Sequence, residues 1–430
     1  MMLGDSLSTP LPVADAADAS SAMPRASCDS EGRLSGKRPS SDESPTVLIF
    51  EDVLLPYSQT FVVEQAENLR RYRPVYVGLR RADGIHLPPQ RTCVLNRGSR
   101  VGRLREVAYK LTGFAPGFLA ELRLRRPALI HAHFGPSGCL AIPLSRALDV
   151  PLVVTFHGFD ATMTDQALSR GSYPDRTFVA GRAKLRSGAR KVIAVSEFIK
   201  RRLVAQGFDP AAVEVSYIGV DTQRFLPCVG GARKRNVLYV GRMVPKKGCE
   251  YLIRAMSAVN RTRPDVTLTL VGDGPSMLSL KRLASELRVR AEFLGAQPHD
   301  AVRAHMNSST VLCAPSVTAE NGDAEGLGMI LLEAQACGTP VVGSRSGGMP
   351  EALIEGTTGL LAEEGDVEGL ATNLSRILDD ERFAARMGEA GRAHVCRNFD
   401  IRDRTARLEL LYDQILNGEA RGRSADFKSG

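Results

Sequence analysis

No apolar stretch in this 430-residue chain approaches the ~18 to 20 residues needed to span a bilayer. The first 45 residues are rich in Ser, Ala, Asp and Pro, and no basic start leads into an apolar run. They read as a disordered tail, not a secretory signal. Eight cysteines, at 28, 93, 139, 228, 249, 313, 337 and 396, stand singly. Without Cys-x-x-Cys or metal-ligand spacing, a disulfide framework and a zinc site drop out, and a reducing cytosol fits. No complete Gly-x-Gly-x-x-Gly follows the first strand, which disfavours a NAD dehydrogenase. Nucleic-acid binding is disfavoured too, because no aromatic-interleaved or helix-turn-helix pattern accompanies the basic residues.

Positive charge is plentiful, at a net +8, and it clusters in the first half. Arg97, Arg100, Arg103, Arg105, Lys110, Arg123, Arg125 and Arg126 have only Glu106 and Glu121 as counter-charges. A second group contains Arg182, Lys184, Arg186, Arg190, Lys191, Lys200, Arg201 and Arg202. Either group is a solvated surface or a face for anionic lipid, where each basic residue contributes roughly 1 kcal/mol.

The 43% hydrophobic content is that of a soluble globular protein, and 430 residues exceed one simple core. Short β-branched runs alternate with amphipathic helices, which predicts an α/β fold with parallel sheets covered on both faces. Strands are expected at 46–50, 74–79, 92–96, 128–134, 151–158, 191–196 and 213–218. The pattern restarts at 236–241, followed by 266–272, 291–295, 311–316 and 340–344. Residues 226–235 (LPCVGGARKR) carry Pro, a Gly pair and a charge run, and read as a linker between domains 46–225 and 236–398. A final helix is expected over 399–418, then a tail over 419–430.

The most informative segment is AEGLGMILLEAQACGTPVV, in which seven residues separate Glu325 from Glu333. Gly326, Leu327 and Gly328 mark a helix start, where free amides suit a diphosphate. At ~1.5 Å per helical residue the two carboxylates would stand roughly 12 Å apart. That is about the span between the ribose and the sugar of a nucleoside diphosphate-sugar. Other residues at strand ends are Arg242, Lys247 (with Lys246 beside it), His157, Asp160, Gly347, Gly348 and Glu351. Ligands of open α/β sheets bind at such junctions. Asp160 reads best as a helix cap. His131 and His133 share one strand face without an evident third metal ligand, which favours a structural role. Gly272 and Gly274 read as a turn before a helix.

The spacing Glu325–Glu333 beside a Gly-rich helix start resembles the donor site of retaining GT-B glycosyltransferases of family 4. VLYVGRMVPKKG (237–248), LTLVGDGP (268–275), APSVTAENGDAEG (314–326), PVVGSRSGGMPE (340–351) and VSYIGVDTQRF (215–225) resemble the same family in its order. TFHG and NGDAEG are similar to its exopolysaccharide and colanic-acid type. The resemblance implies two Rossmann-like, doubly wound domains facing across a cleft, with a last helix crossing back to the first domain. It implies a hexose moved from a nucleoside diphosphate-sugar to a lipid-linked glycan, without metal or other cofactor; an Asp-x-Asp cation motif is missing here. Arg242 and Lys247 would then receive the diphosphate, Glu325 the sugar hydroxyls and Glu333 the ribose. His157 would face the transferred sugar and its phosphate. Gly347, Gly348 and Glu351 would add donor contacts, and Asn321 and Asp323 would lie near the sugar. LLPYSQTF (54–61) replaces the family's Gly-Gly loop, so acceptor contacts are expected from Ser58, Gln59 and Thr60, with His133 within reach. An epimerase or hydrolase on the same fold, or a silent binding subunit, are the alternatives.

Overall fold

The computed structural model describes residues 44–56, 59–82, 84–228 and 233–426, with side chains described as far as 418. The first sheet contains β1 (Thr46–Leu54), β2 (Arg73–Arg81), β3 (Thr92–Asn96), β4 (Pro127–His133), β5 (Leu152–Phe156), β6 (Lys191–Ala194) and β7 (Val213–Val215). The second contains β8 (Lys234–Val240), β9 (Thr267–Val271), β10 (Ala291–Gly295), β11 (Ser309–Ala314), β12 (Val341–Ser344) and β13 (Leu360–Ala362). Their spatial orders are β3-β2-β1-β4-β5-β6-β7 and β10-β9-β8-β11-β12-β13. Paired strands run parallel throughout.

Both orders reverse at one point, between β1 and β4 and between β8 and β11. Such switch points open the crevice in which open α/β sheets bind ligands. Strands buried on both faces explain the near-continuous apolar runs. In β1, Leu48 and Phe50 enter one core with Ile130, Val154 and Phe178. Val47 and Ile49 face the other way, against Leu408, Leu411, Tyr412 and Ile415 of the final helix Ile401–Asp426. That helix therefore packs on the first lobe although its sequence follows the second. Glu409 fixes it further by accepting the amides of Arg70 and Arg71 at 2.7 Å each.

Two boundaries and one strand differ from expectation: the last helix, expected to end at 418 before a tail over 419–430, runs on to Asp426. β8 opens at Lys234, and Arg233 donates to Ser309 O, Thr339 Oγ1 and Gly338 O, so residues 233–235 belong to the second lobe. Residues 229–232 of the expected linker, and 1–43 of the tail expected over 1–45, lie outside the described residues. β13 was not anticipated, because three residues carry no readable period.

Candidate active site

The loop after β8 carries the cationic half of the site. Pro245–Lys247 forms a single 3-10 turn that sends adjacent lysines to different acids. Lys247 Nζ lies 2.8 Å from Glu325 Oε1, while Lys246 Nζ lies 2.8 Å from Asp323 Oδ1 and 3.9 Å from Glu325. Gly248 has φ +65° and closes the turn; a Cβ there would come within 1.8 Å of Pro315 O. Burial pushes the Glu325 carboxyl up, but Lys247, Lys246 and Arg242 outweigh it and hold the group below its usual value. Glu325 is thus an ionised carboxylate embedded among cations. Arg242 is exposed and makes no ion pair among the described residues.

The helix bearing Glu333 spans Met329–Ala336 and starts from Gly328 at φ +85°. Only Met329 to Glu333 of the intervening stretch is helical, so the 12 Å spacing read from an unbroken helix does not hold. Glu325 lies in the preceding loop instead. Of the first amides of this helix, that of Leu331 donates to Gly328 O at 2.9 Å, while those of Met329 and Ile330 have no acceptor among the described residues and lie at the positive end of the helix dipole. Leu327 points into the core, leaving its backbone as the part that could meet a ligand.

Glu333 is half-buried, and no hydrogen bond to its carboxylate occurs among the described residues. Burial and then the charge of Glu64 push it up to about 8, with Arg224 pulling partly back. Arg224 Nη1 in turn lies 3.3 Å from Glu64 Oε1. Glu64 and Arg224 were not picked out from the sequence. Glu64 sits in the first lobe's helix Thr60–Glu67, and no local pattern ties it to a residue far along the chain. A raised carboxyl pKa means that the folded protein holds more protons than the unfolded one between about pH 4.5 and 8. Stability from this group is complete below that window and lost as pH rises through it. Glu333→Gln should flatten the fall in melting temperature between pH 5 and 8; parallel slopes for variant and wild type would contradict the assignment.

The first lobe contributes His157, just after β5. Its Nε2 is 3.0 Å from His133 Nδ1, and its ring is flanked by Phe61 at 5.0 Å and Phe134 at 4.6 Å. His157 Nδ1 is buried without a partner among the described residues. Asp160 does not cap the helix that follows it, since it lies inside the turn Phe159–Thr162; its buried carboxylate accepts the amides of Gly135, which begins the helix Gly135–Leu148, and of His157 and Gly158, and so clamps the turn that presents His157. Burial pushes Asp160 up to about 6 against those three donors. His133, expected to reach the acceptor, is instead engaged with His157. Thr60 opens its helix and Gln59 precedes it, with Gln59 Oε1 buried and unbonded among the described residues. Ser58 lies outside the described residues. His131 and His133 stack at 4.4 Å, and among the described residues no group of three His, Cys, Asp or Glu is placed to hold a metal ion.

The two lobes meet along this site. Ser196 Oγ donates to Gly326 O at 2.6 Å, Thr164 N to Asn321 O at 2.9 Å and Ala324 N to Thr162 Oγ1 at 3.1 Å. For Glu351, as for Gly347 and Gly348, the expectation is a backbone contact to the donor. The Glu351 carboxylate accepts the amides of Glu197 and Phe198, at 2.7 and 2.8 Å, and the Tyr217 hydroxyl at 3.0 Å. Those amides begin the helix Glu197–Ala205 of the first lobe, so Glu351 bridges the lobes. Gly347 and Gly348 pack on the Glu325–Gly326 backbone; a Cβ on either would come within 2.2 or 2.0 Å of a carbonyl oxygen. The Gly348 amide already donates to Glu325 O at 2.9 Å. Gly272 likewise lies against Gly241, with no room for a Cβ.

Two parallel-sheet lobes meeting over a helix start have the architecture of the GT-B fold. Residues 58–224 match glycosyltransferase family 4 and residues 231–394 match the glycosyl transferases group 1 family. A GDP-mannose-dependent alpha-(1-6)-phosphatidylinositol monomannoside mannosyltransferase of Mycolicibacterium smegmatis is 33% identical over 394 residues, covering 86% of this chain and 96% of that one. A D-inositol 3-phosphate glycosyltransferase of Salinispora tropica is 31% identical over 355 residues, covering 75% and 71%. Among solved structures, Anabaena HepE in complex with UDP and glucose superposes with a TM-score of 0.68 at 20% identity, over 86% of this chain and all of that one. The chain belongs to glycosyltransferase family 4 and is a hexosyltransferase using a nucleotide-sugar.

Proposed function

We propose that this enzyme transfers a hexose, with GDP-mannose as the favoured donor, to a lipid-linked glycan. Arg242, Lys247 and the first amides of the helix Met329–Ala336 would receive the diphosphate. Glu325 would bind hydroxyls of the sugar, Glu333 the ribose, and His157 the side of the sugar facing the first lobe. The observation that carries the reading is the Lys247–Glu325 pair of 2.8 Å beside that helix start. An incoming diphosphate competes for the lysine, and a sugar hydroxyl takes up the freed carboxylate. Fixed cations aimed at charge developing on a leaving group are the usual source of the largest catalytic effect. For a retaining transfer without metal, the anomeric carbon–phosphate oxygen bond breaks as the acceptor oxygen bonds the same face, and the departing phosphate takes the acceptor's proton.

The choice of GDP-mannose and of a glycolipid rests on the relatives' names. The loops that resemble exopolysaccharide enzymes rank second, because the two relatives above are named for inositol-containing acceptors. With labelled GDP-mannose and vesicles containing phosphatidylinositol mannosides, label should move to the lipid fraction, and GDP release should depend on acceptor. Acceptor-independent release of free mannose would make the enzyme a hydrolase.

A lipid-linked acceptor calls for a membrane face. No helix among the described residues is long and apolar enough to cross a membrane. The helix Arg100–Thr112 instead exposes Val101, Leu104, Val107 and Leu111, with Leu104 and Leu111 at 71% and 68% exposure. Phe114 and Leu124 are exposed as well, and so are Arg100, Arg103 and Arg105 on this helix and Arg123 and Arg126 shortly after it in the chain. Such a stripe bordered by basic groups suits shallow insertion among anionic lipids. Lys110 is no part of it, being ion-paired at 2.8 Å to both Asp52 and Glu106. The second basic cluster is tied inward at several points: Arg182 pairs with Asp165, Lys191 with Glu214, and Arg186 bonds backbone carbonyls. Leu104→Asp with Leu111→Asp should abolish co-sedimentation with anionic vesicles at physiological salt, and leave neutral-vesicle behaviour unchanged. Undiminished binding would exclude this face.

A further inference from the structure

His157 is held by a chain of side chains that begins on the last helix. Tyr412 OH lies 2.6 Å from His131 Nδ1, and His131 Nε2 lies 2.6 Å from Thr155 Oγ1. His131 stacks on His133, which bonds His157 through Nδ1 at 3.0 Å. His131 and His133 are almost wholly buried. Burial lowers His131 and His157 to about 3 and His133 well below its ordinary value, so all three rings are neutral. A neutral imidazole carries one N–H, and a bond between two such rings requires one to donate and the other to accept. The bond therefore decides which nitrogen of His157 keeps a proton. The remaining nitrogen, Nδ1, is the buried atom without a partner among the described residues.

We propose that His133 is a positioning residue that sets the tautomer and ring orientation of His157, with His131, Thr155 and Tyr412 holding His133 in turn. His133 Nδ1–H donates to His157 Nε2, which leaves Nδ1–H on His157 as a donor. A donor is the form that suits the phosphate and sugar oxygens expected in the cleft. This inference rests on the role given to His157 in the proposed function. It gives the final helix a function in catalysis, because Tyr412 fixes the far end of the chain of contacts.

The test compares His133→Leu, which keeps apolar bulk without a ring nitrogen, with His133→Asn, whose amide can supply an N–H near the position of Nδ1. His157→Ala serves as reference. In hexose transfer from GDP-mannose, His133→Leu should lower kcat by at least about tenfold with donor KM within about twofold, at an unchanged melting temperature. His133→Asn should stay within about threefold of wild type. Long-range proton–nitrogen NMR of the labelled histidines should show Nδ1–H on His157 in wild type, and a tautomer mixture in His133→Leu. Equal losses in both variants, or an unchanged kcat in His133→Leu, would overturn the inference while leaving the site intact. Wild-type turnover by His157→Ala would remove the role of His157 itself.

Discussion

Lys247→Ala is expected to lower the transfer rate by about a hundredfold to a thousandfold, the usual effect of removing one preorganised group that stabilises transition-state charge. Its amine lies 2.8 Å from Glu325 and is the nearest cation to that carboxylate among the described residues. Lys246 cannot substitute, because it stands 3.9 Å away and is held by Asp323 at 2.8 Å. The same change also destabilises the fold, since it leaves a largely buried carboxylate short of a partner. Breaking a buried pair costs about 3 to 5 kcal/mol, and a partly wet pair such as this one costs less. Pairing Lys247→Ala with Glu325→Gln separates the two effects. The double variant should recover melting temperature but not transfer, because the uncharged amide removes the stranded charge while the diphosphate still lacks its lysine and the sugar its carboxylate. Lys247→Ala retaining a rate within threefold of wild type would contradict the role given to it.

Gly326→Ala is expected to reduce transfer by about a hundredfold through the lobe seam alone. The nearest atoms to an added Cβ are His157 O at 1.9 Å, His157 C at 2.9 Å and Val195 Cγ2 at 3.2 Å, all from the first lobe. Gly326 is not among the residues with positive φ, so alanine brings no backbone strain of its own. The second lobe should therefore fold and bind nucleotide as before, while the two lobes cannot approach to their native distance. A misplacement of about 1 Å between reacting groups can cost a hundredfold in rate. Calorimetry should find GDP affinity within a few-fold of wild type, and solution scattering should report a more open particle. A variant with wild-type turnover would show that this contact does not belong to the catalytic state.

Much of the architecture was legible because strands buried on both faces carry long β-branched runs. Twelve of these runs coincide with strands, and the errors fall at their ends. The run read to Gly158 stops at Phe156, since Asp160 gathers the amides of His157 and Gly158 into a turn. The acidic spacing around Gly326 and the lysine pair after β8 were legible as local motifs. Which lysine faces Glu325 was not, because it depends on the 3-10 turn over Pro245–Lys247. Residues at the seam were the least legible. Glu351 follows a Gly-Gly turn that looks like a ligand-binding start, yet its carboxylate meets amides more than 150 positions earlier in the chain. His133 alternates with His131 along β4, but only the fold brings His157 to its Nδ1. Partners set by long-range packing leave no period in the chain.

The most direct measurement is a crystal structure with an intact sugar nucleotide bound. The pyrophosphate should lie against Arg242, Lys247 and the amides beginning the helix Met329–Ala336, with Lys247 drawn from Glu325 and the ribose at Glu333. A pyrophosphate seated away from Lys247 and that helix start would contradict the site.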